Sequence, residues 1–346
     1  MALSAALLAT PATSAPREAA RIPFAQRYHA VQHGGIATAA NSAISCRTAD
    51  DPAVAACRRV RHGGQGANSD FDMFYSDVDK DPNTYNSTRA ELTLPEDSQV
   101  SYARLYWGAN LRVGEQKPPK DNGRVLIAEQ GGEYKEVLAD TRVAHRTADG
   151  SDAFQASADV TPLIRSSGSG LYTVAQVNVA RGRSAVGAWG GWTLVVAYRD
   201  DQEPKRRLTL WDGFEPLGTD RQALSVTMPG LAIPPGAAGR VGVVAYDGDR
   251  SVEGDAVSVT AGSRKAFTLS NSANPANNVM NSTITDFGRS AEKREPAYVN
   301  TLGYDSDVFD LKPALSHGGD SLRFHFSAEK QGYFLGALFV QADSRR

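Results

Sequence analysis

Asp159-Val160-Thr161-Pro162-Leu163-Ile164 runs into Gly168-Ser169-Gly170 and then into the β-branched and aromatic stretch Leu171-Tyr172-Thr173-Val174-Ala175-Gln176-Val177-Asn178-Val179. Read as chemistry, this is one helical turn, a glycine-rich reversal and a new strand. Asp159 or Thr161 accepts a backbone N–H at the start of the turn, and Leu163 and Ile164 anchor it on a core. The glycines let the chain reverse without a Cβ penalty. The same grammar returns 148 positions later: Asp307-Val308-Phe309-Asp310-Leu311, then Ala314-Leu315, then Gly318-Gly319-Asp320, then an alternating run over 321–327. Apolar runs at 193–198 and 335–341 close the two copies, and related runs at 102–108 and 241–248 precede them. The expectation is an all-β chain built by duplication, with two related antiparallel, jelly-roll-like β-sandwich domains over 67–203 and 204–346.

The rest of the chain agrees with that fold class. Further short runs with strand character lie at 91–94, 100–107, 124–129, 207–212, 223–228, 256–260, 265–269 and 279–285. Turn signals such as Asp121-Asn122-Gly123, Gly131-Gly132, Asp247-Gly248-Asp249 and His317-Gly318-Gly319-Asp320 separate them. No long segment repeats its apolar residues at the helical period. Residues 21–66, rich in Ala, Gly, Arg and His, read as an irregular lead-in pinned by a disulfide between Cys46 and Cys57, the only two cysteines.

With 346 residues, 37 Lys+Arg against 39 Asp+Glu and a net charge of −2, the chain has no bulk electrostatic hold on nucleic acid or acidic lipid. Its basic loops, Lys117-Pro118-Pro119-Lys120, Arg181-Gly182-Arg183 and Lys205-Arg206-Arg207, are too scattered for a nucleic-acid stripe. Two cysteines cannot make a four-thiolate metal site. Residues 2–15, an Ala- and Leu-rich run ending in small residues, read as the apolar part of a secretory signal within 1–20, cleaved after Ala15 or Ala20. No Lys or Arg precedes that run, so the start of the leader is expected upstream of Met1. No later stretch is apolar for long enough to span a bilayer as a helix. A secreted, cell-surface chain is the expectation, and an even cysteine pair fits it.

Candidate sites follow from residue type. Asp77, Asp79 and Asp81 alternate in a turn and offer oxygens to a structural Ca²⁺. Pro82 and Thr88 stand where an EF-hand needs Gly and Glu, and the other reading is a turn whose Asp side chains bond their own backbone. Asp247, Asp249 and Asp255 form a second acidic group, and Asp305, Asp307 and Asp310 a third, in which Asp305 and Asp307 are expected to cap the second corner. Trp107, Trp189, Trp192 and Trp211 are the candidate ligand-binding aromatics: an exposed Trp stacks on a sugar ring, whereas a buried one fills a sandwich core. His29 and His33 are spaced for a shared metal only on a helix, which Gly34-Gly35 opposes.

Catalysis has little support. There is no G-x-S-x-G elbow, H-E-x-x-H or phosphate loop, and the S-x-x-K match at Ser327–Lys330 lacks its partner motifs. A glycosidase needs two carboxylates across a cleft, and no pair stands out.

Longer motifs add a resemblance. They include Tyr28-His29, His33-Gly34-Gly35, Asp70-Phe71-Asp72-Met73, Tyr85-Asn86-Ser87-Thr88, Ala103-Arg104-Leu105-Tyr106-Trp107-Gly108, Trp189-Gly190-Gly191-Trp192, Trp211-Asp212-Gly213-Phe214, Tyr246-Asp247-Gly248-Asp249-Arg250, Asn281-Ser282-Thr283-Ile284 and Leu302-Gly303-Tyr304-Asp305-Ser306-Asp307. Together these resemble a β-rich domain-of-unknown-function family of exported proteins from high-GC Gram-positive bacteria, some heading repeat-bearing, anchored chains. That resemblance implies a surface location and brings no catalytic residues. The functional expectation is a non-catalytic module for adhesion to glycan, cell wall or a protein partner. The alternative is a self-assembling surface or matrix component, and a glycan-active hydrolase stands third. Exposed aromatics on a strand face would favour the first reading, a long unpaired edge strand the second, and a buried carboxylate pair in a deep cleft the third.

Overall fold

A computed structural model describes residues 17–48, 55–79 and 81–344, and nearly every element in it is a strand. The expected leader lies outside the described residues apart from 17–20. Twelve strands form one long sheet, in the order Glu18–Ala19, Val143–Ala148, Ser151–Asp159, Gln99–Asn110, Gly190–Arg199, Ile22–Ser42, Lys205–Leu217, Tyr333–Asp343, Gly239–Tyr246, Tyr304–Asp310, Ile284–Asp286, Arg289–Ser290. A five-stranded sheet, Arg294–Glu295, Ser87–Leu92, Gly170–Ala175, Arg124–Ala128 and Lys135–Leu138, packs on its first half. A four-stranded sheet, Ala223–Ile233, Gly319–Ala328, Asp255–Ala261 and Phe267–Thr268, packs on its second half.

The two sandwiches correspond strand for strand. In the first, Ser151–Asp159 pairs with Gln99–Asn110, which pairs with Gly190–Arg199. In the second, Tyr304–Asp310 pairs with Gly239–Tyr246, which pairs with Tyr333–Asp343. In the facing sheets Gly170–Ala175 lies between Ser87–Leu92 and Arg124–Ala128, as Gly319–Ala328 lies between Ala223–Ile233 and Asp255–Ala261. The corner that announces the repeat is present in both copies, at an offset of 151 rather than 148. Asp159 Oδ1 accepts from Thr161 N–H, and Asp310 Oδ1 accepts from Lys312 N–H, each at 2.8 Å. Pro162 matches Pro313, and Ile164 matches Leu315, both fully buried anchors. Asp305 and Asp307 therefore do not cap this corner.

Alternation within each strand explains how two cores become one molecule. Leu105, Trp107, Leu194 and Val196 enter the first core, while Tyr106 and Val195 enter a third cluster. Val243, Ala245, Leu338 and Val340 enter the second core, while Val244 and Phe339 join that same third cluster. The two halves of the long sheet thus bury their remaining faces against each other, with Trp189, Phe214, Tyr246 and Phe334 in mutual ring contact at 5.3–6.0 Å.

The lead-in is corrected by the structure. Ile22–Ser42 is a continuous 21-residue strand at the middle of the long sheet. Up to His33 it pairs with Lys205–Leu217, and from Gly34 it pairs with Gly190–Arg199. A Cβ on Gly34, at φ +120°, would fall 2.1 Å from the Tyr198 carbonyl oxygen, and one on Gly35 would fall 2.8 Å from Gln341 Oε1 and the Tyr198 hydroxyl. The small residues that make this segment look irregular are those the seam between the sandwiches requires; packing overrides their low strand preference. The Cys46–Cys57 disulfide is formed, and both cysteines belong to the first core rather than to a peripheral tail. The run 279–285, expected as a strand, is strand only over Ile284–Asp286; before it the chain is a buried loop with Ser282 at positive φ.

Candidate functional site

Three of the four candidate tryptophans are core residues. Trp107, Trp189 and Trp192 are all 0% exposed. Trp107 Nε1 donates to the Asn122 carbonyl and Trp192 Nε1 to Thr88 Oγ1, each at 2.8 Å. Trp211 is half-buried, packs beside the second core and donates to Thr209 Oγ1. Of the two readings offered by residue type, the buried one therefore describes three of the four: Trp107 and Trp192 lie in the first core and Trp189 in the cluster between the sandwiches.

Asp77, Asp79 and Asp81 share one loop, where their oxygens serve local partners. Asp77 accepts from Ser87 Oγ, Asp79 from the Asp81 N–H, Thr84 Oγ1 and the Tyr134 hydroxyl, and Asp81 from the Asn83 N–H. These bonds outweigh the partial burial of Asp79 and hold its carboxyl below the usual range. Among the described residues no three His, Cys, Asp or Glu side chains are grouped as a metal site.

The other acids go deep. Asp247, Asp249, Asp255, Asp305 and Asp307 are all buried, and burial raises the pKa of each. Asp249 is pushed up to about 7 and Asp255 to about 6. Asp305 is raised further by Asp307 beside it, and Asp247 by Asp249. Asp305 accepts the Thr283 N–H at 3.0 Å, and Asp307 accepts the hydroxyls of Thr283 and Thr285. Asp255 accepts the Val279 and Met280 N–H groups. These carboxyls hold the buried loop 279–283 in place. Asp247, Asp249 and Asp255 border a recess of only about 10 Å³, at the lower limit for a single water.

A groove of about 580 Å³ lies where the two sandwiches meet, and a second, of about 790 Å³, is lined by Pro95, Val100, Arg165 and Arg199. Ile36, Ala39 and Ala40 of the central strand form one wall of the groove between the sandwiches, and Val308 and Phe339 of the second sandwich another. Thr285 and Ser306 face the groove, with Asp307 behind Thr285. The 284–295 segment borders it, crossing from the second sandwich to the edge of the first. Its anchor is Arg294, buried against Asn41 Oδ1 and the carbonyls of Ala291 and Tyr298. Burial lowers the Arg294 pKa to about 10. Lys293 Nζ pairs with Glu91 Oε1 at 2.6 Å on the rim, where Arg240, Asp286 and Glu292 also stand.

Next to Asp286 and Arg240 of the groove lining, the strands Ile284–Asp286 and Arg289–Ser290 are joined by a two-residue loop, Phe287-Gly288, with φ of +50° and +76°. Such a loop ordinarily takes Asn-Gly, because both positions need positive φ. Here a bulky aromatic occupies the first position, 43% exposed, with the Arg240 guanidinium 5.4 Å from its ring centre. A strained, exposed aromatic beside a groove is a residue the sequence reading missed. Its only sequence signal is Asp286-Phe287-Gly288-Arg289, a turn dipeptide with Phe where Asn is favoured.

The family described as "Protein of unknown function (DUF3344)" matches residues 66–334. The chain belongs to this family. The matched span takes in Phe287, the rim charges and most of both sandwiches, while the central strand Ile22–Ser42 that walls the groove precedes it. A search of the curated proteins finds no match to the chain. Among the described residues no helix is long and apolar enough to cross a membrane.

Proposed function

We propose that this member of the family is an exported, non-catalytic surface module that takes a saccharide chain, from cell wall or polysaccharide, in the groove between its sandwiches. The observation that carries the reading is Phe287. An exposed aromatic held in left-handed backbone, outside the groove lining but beside its Asp286 and Arg240, costs stability and packs into no core, which is the usual mark of a residue kept for recognition. Its ring offers a stacking face to a sugar, and Arg240, Asp286, Glu292 and Lys293 offer charged and polar partners along the rim. The buried acid pair Asp305 and Asp307 does not border the groove; the carboxylates that do are Glu91, Asp286 and Glu292. Export is supported by the apolar run at 2–15 and by a disulfide, which suits an oxidising compartment.

Co-sedimentation of the chain with purified cell wall and insoluble polysaccharides tests this. Saturable binding is expected, and Phe287→Ala should weaken it about tenfold, in the range of an aromatic hot spot, while leaving the melting temperature unchanged or slightly higher. Binding should be equal in calcium and in chelator, because Asp77, Asp79 and Asp81 already serve their own loop. Absence of binding, or equal binding by Phe287→Ala, would remove the groove from the account.

A further inference from the structure

The two sandwiches are copies, yet one corresponding edge is finished differently in each. In the first, the edge strand Ser87–Leu92 is covered: Arg294–Glu295 pairs antiparallel to it, Arg294 with Ala90 and Glu295 with Arg89, and the Glu91 N–H donates to the Lys293 carbonyl at 2.8 Å. In the second, Ala223–Ile233 pairs with Gly319–Ala328 on one side only. Among the described residues, no backbone group of 224–232 has a backbone partner beyond that ladder. The other ends of the three larger sheets are two-residue strands, or at Lys135–Leu138 a four-residue strand carrying Lys135 and Glu136. Short or charged edges are the usual protection against pairing with another chain. Ala223–Ile233 is eleven residues long and carries no charge. Pro229 and a register shift before Ile233 guard its far half, and Arg221 Nε occupies the Ala223 carbonyl, which leaves 224–228 open.

We propose that 224–228 is a homodimer edge, where a second copy of this chain adds its own 224–228 as an antiparallel strand across a two-fold axis. An antiparallel edge pairs with itself under such an axis, so the contact closes at two copies. Centred on Val226, the register sets Ser225 opposite the partner's Thr227 and Leu224 opposite the partner's Met228. Ser225 and Thr227 are exposed, while Leu224, Val226 and Met228 face the core, so side chains match face to face. No charge opposes a like charge within the paired segment. The nearest basic side chains are Arg221, whose Nε donates to the Ala223 carbonyl at 3.3 Å, His325, opposite Ser225, and Arg323, one strand in and opposite Thr227. Two copies of Arg323 stand about three strand spacings apart, roughly 14 Å, beyond the Debye length at physiological salt. The first sandwich supplies the internal precedent: the same edge of the fold there accepts an antiparallel strand.

Sedimentation velocity on the full chain across micromolar to submillimolar concentration tests this. A reversible dimer is expected for wild type. Thr227→Lys should raise its dissociation constant at least a hundredfold with no change in melting temperature, and Thr227→Val should keep the dimer. A chain that stays monomeric throughout overturns the proposal, including the case where the edge accepts only a strand from a different protein. A dimer indifferent to Thr227→Lys, or equally lost in Thr227→Val, overturns it as well.

Discussion

At the scale of single residues, the buried acids carry the clearest physical consequence. Asp249 and Asp255 hold pKa values of about 7 and 6, and Asp247, Asp305 and Asp307 are also raised. An unfolded Asp ionises near pH 4. Between about pH 4 and 7 the folded chain therefore binds more protons than the unfolded one, and its stability falls as pH rises through that window. His145, raised by Glu18 and Asp152 against its burial, acts in the same sense just above. Carboxyls held low, such as Asp140 and Glu203, lose their contribution only below their unfolded values, near pH 4. The chain should melt at a higher temperature at pH 5 than at pH 8, as read by circular dichroism. A melting temperature that rises from pH 5 to pH 8 would show these acids ionised in the fold. The acidic clusters themselves were visible in the sequence; their depth was not, because Asp in a turn and Asp beneath a loop have the same local spelling. The tryptophans divide in the same way, since residue type names two environments and burial chooses.

At the scale of elements, the strand–corner–strand unit was legible because its chemistry is local. An acid at a strand end accepts an N–H two residues on, and an apolar anchor and a glycine reversal follow within about ten positions. Asp159 and Asp310 do this identically. Asp159→Ala and Asp310→Ala should therefore destabilise by similar amounts, about 1 kcal/mol each, measured as shifts in denaturant midpoint. A cost at one corner and none at the other would mean that the two turns are not equivalent. The offset of 151 is hidden because Asp307-Val308 repeats the dipeptide Asp159-Val160, and only hydrogen bonding identifies Asp310 as the counterpart of Asp159. The central strand Ile22–Ser42 escaped for the opposite reason. Its partners are Lys205–Leu217 and Gly190–Arg199, more than 140 positions away, and its Ala- and Gly-rich centre is suited to those neighbours rather than to any local preference. The exposed turn Phe287-Gly288 was likewise illegible as a neighbour of the groove, since nothing local says that a groove lies beside Asp286 and Arg240.

At the scale of the whole molecule, two sandwiches share one sheet, one central strand and a third buried cluster drawn from both. Cutting between them would expose Tyr106, Trp189, Phe214, Tyr246 and Phe334 together. A single cooperative unfolding transition is expected, with calorimetric and van't Hoff enthalpies equal; two resolved transitions would mean that the sandwiches fold independently. The sequence by itself determined the all-β class, the repeated unit and the pair of cysteines, because strand alternation, turn chemistry and residue counts are properties of short stretches of chain. The tertiary structure decided which tryptophans are buried, where the acids lie, how the two copies join, and that an exposed aromatic stands beside two residues of the groove between them. Those outcomes depend on contacts between residues far apart in the chain, and long-range packing leaves no local period to read.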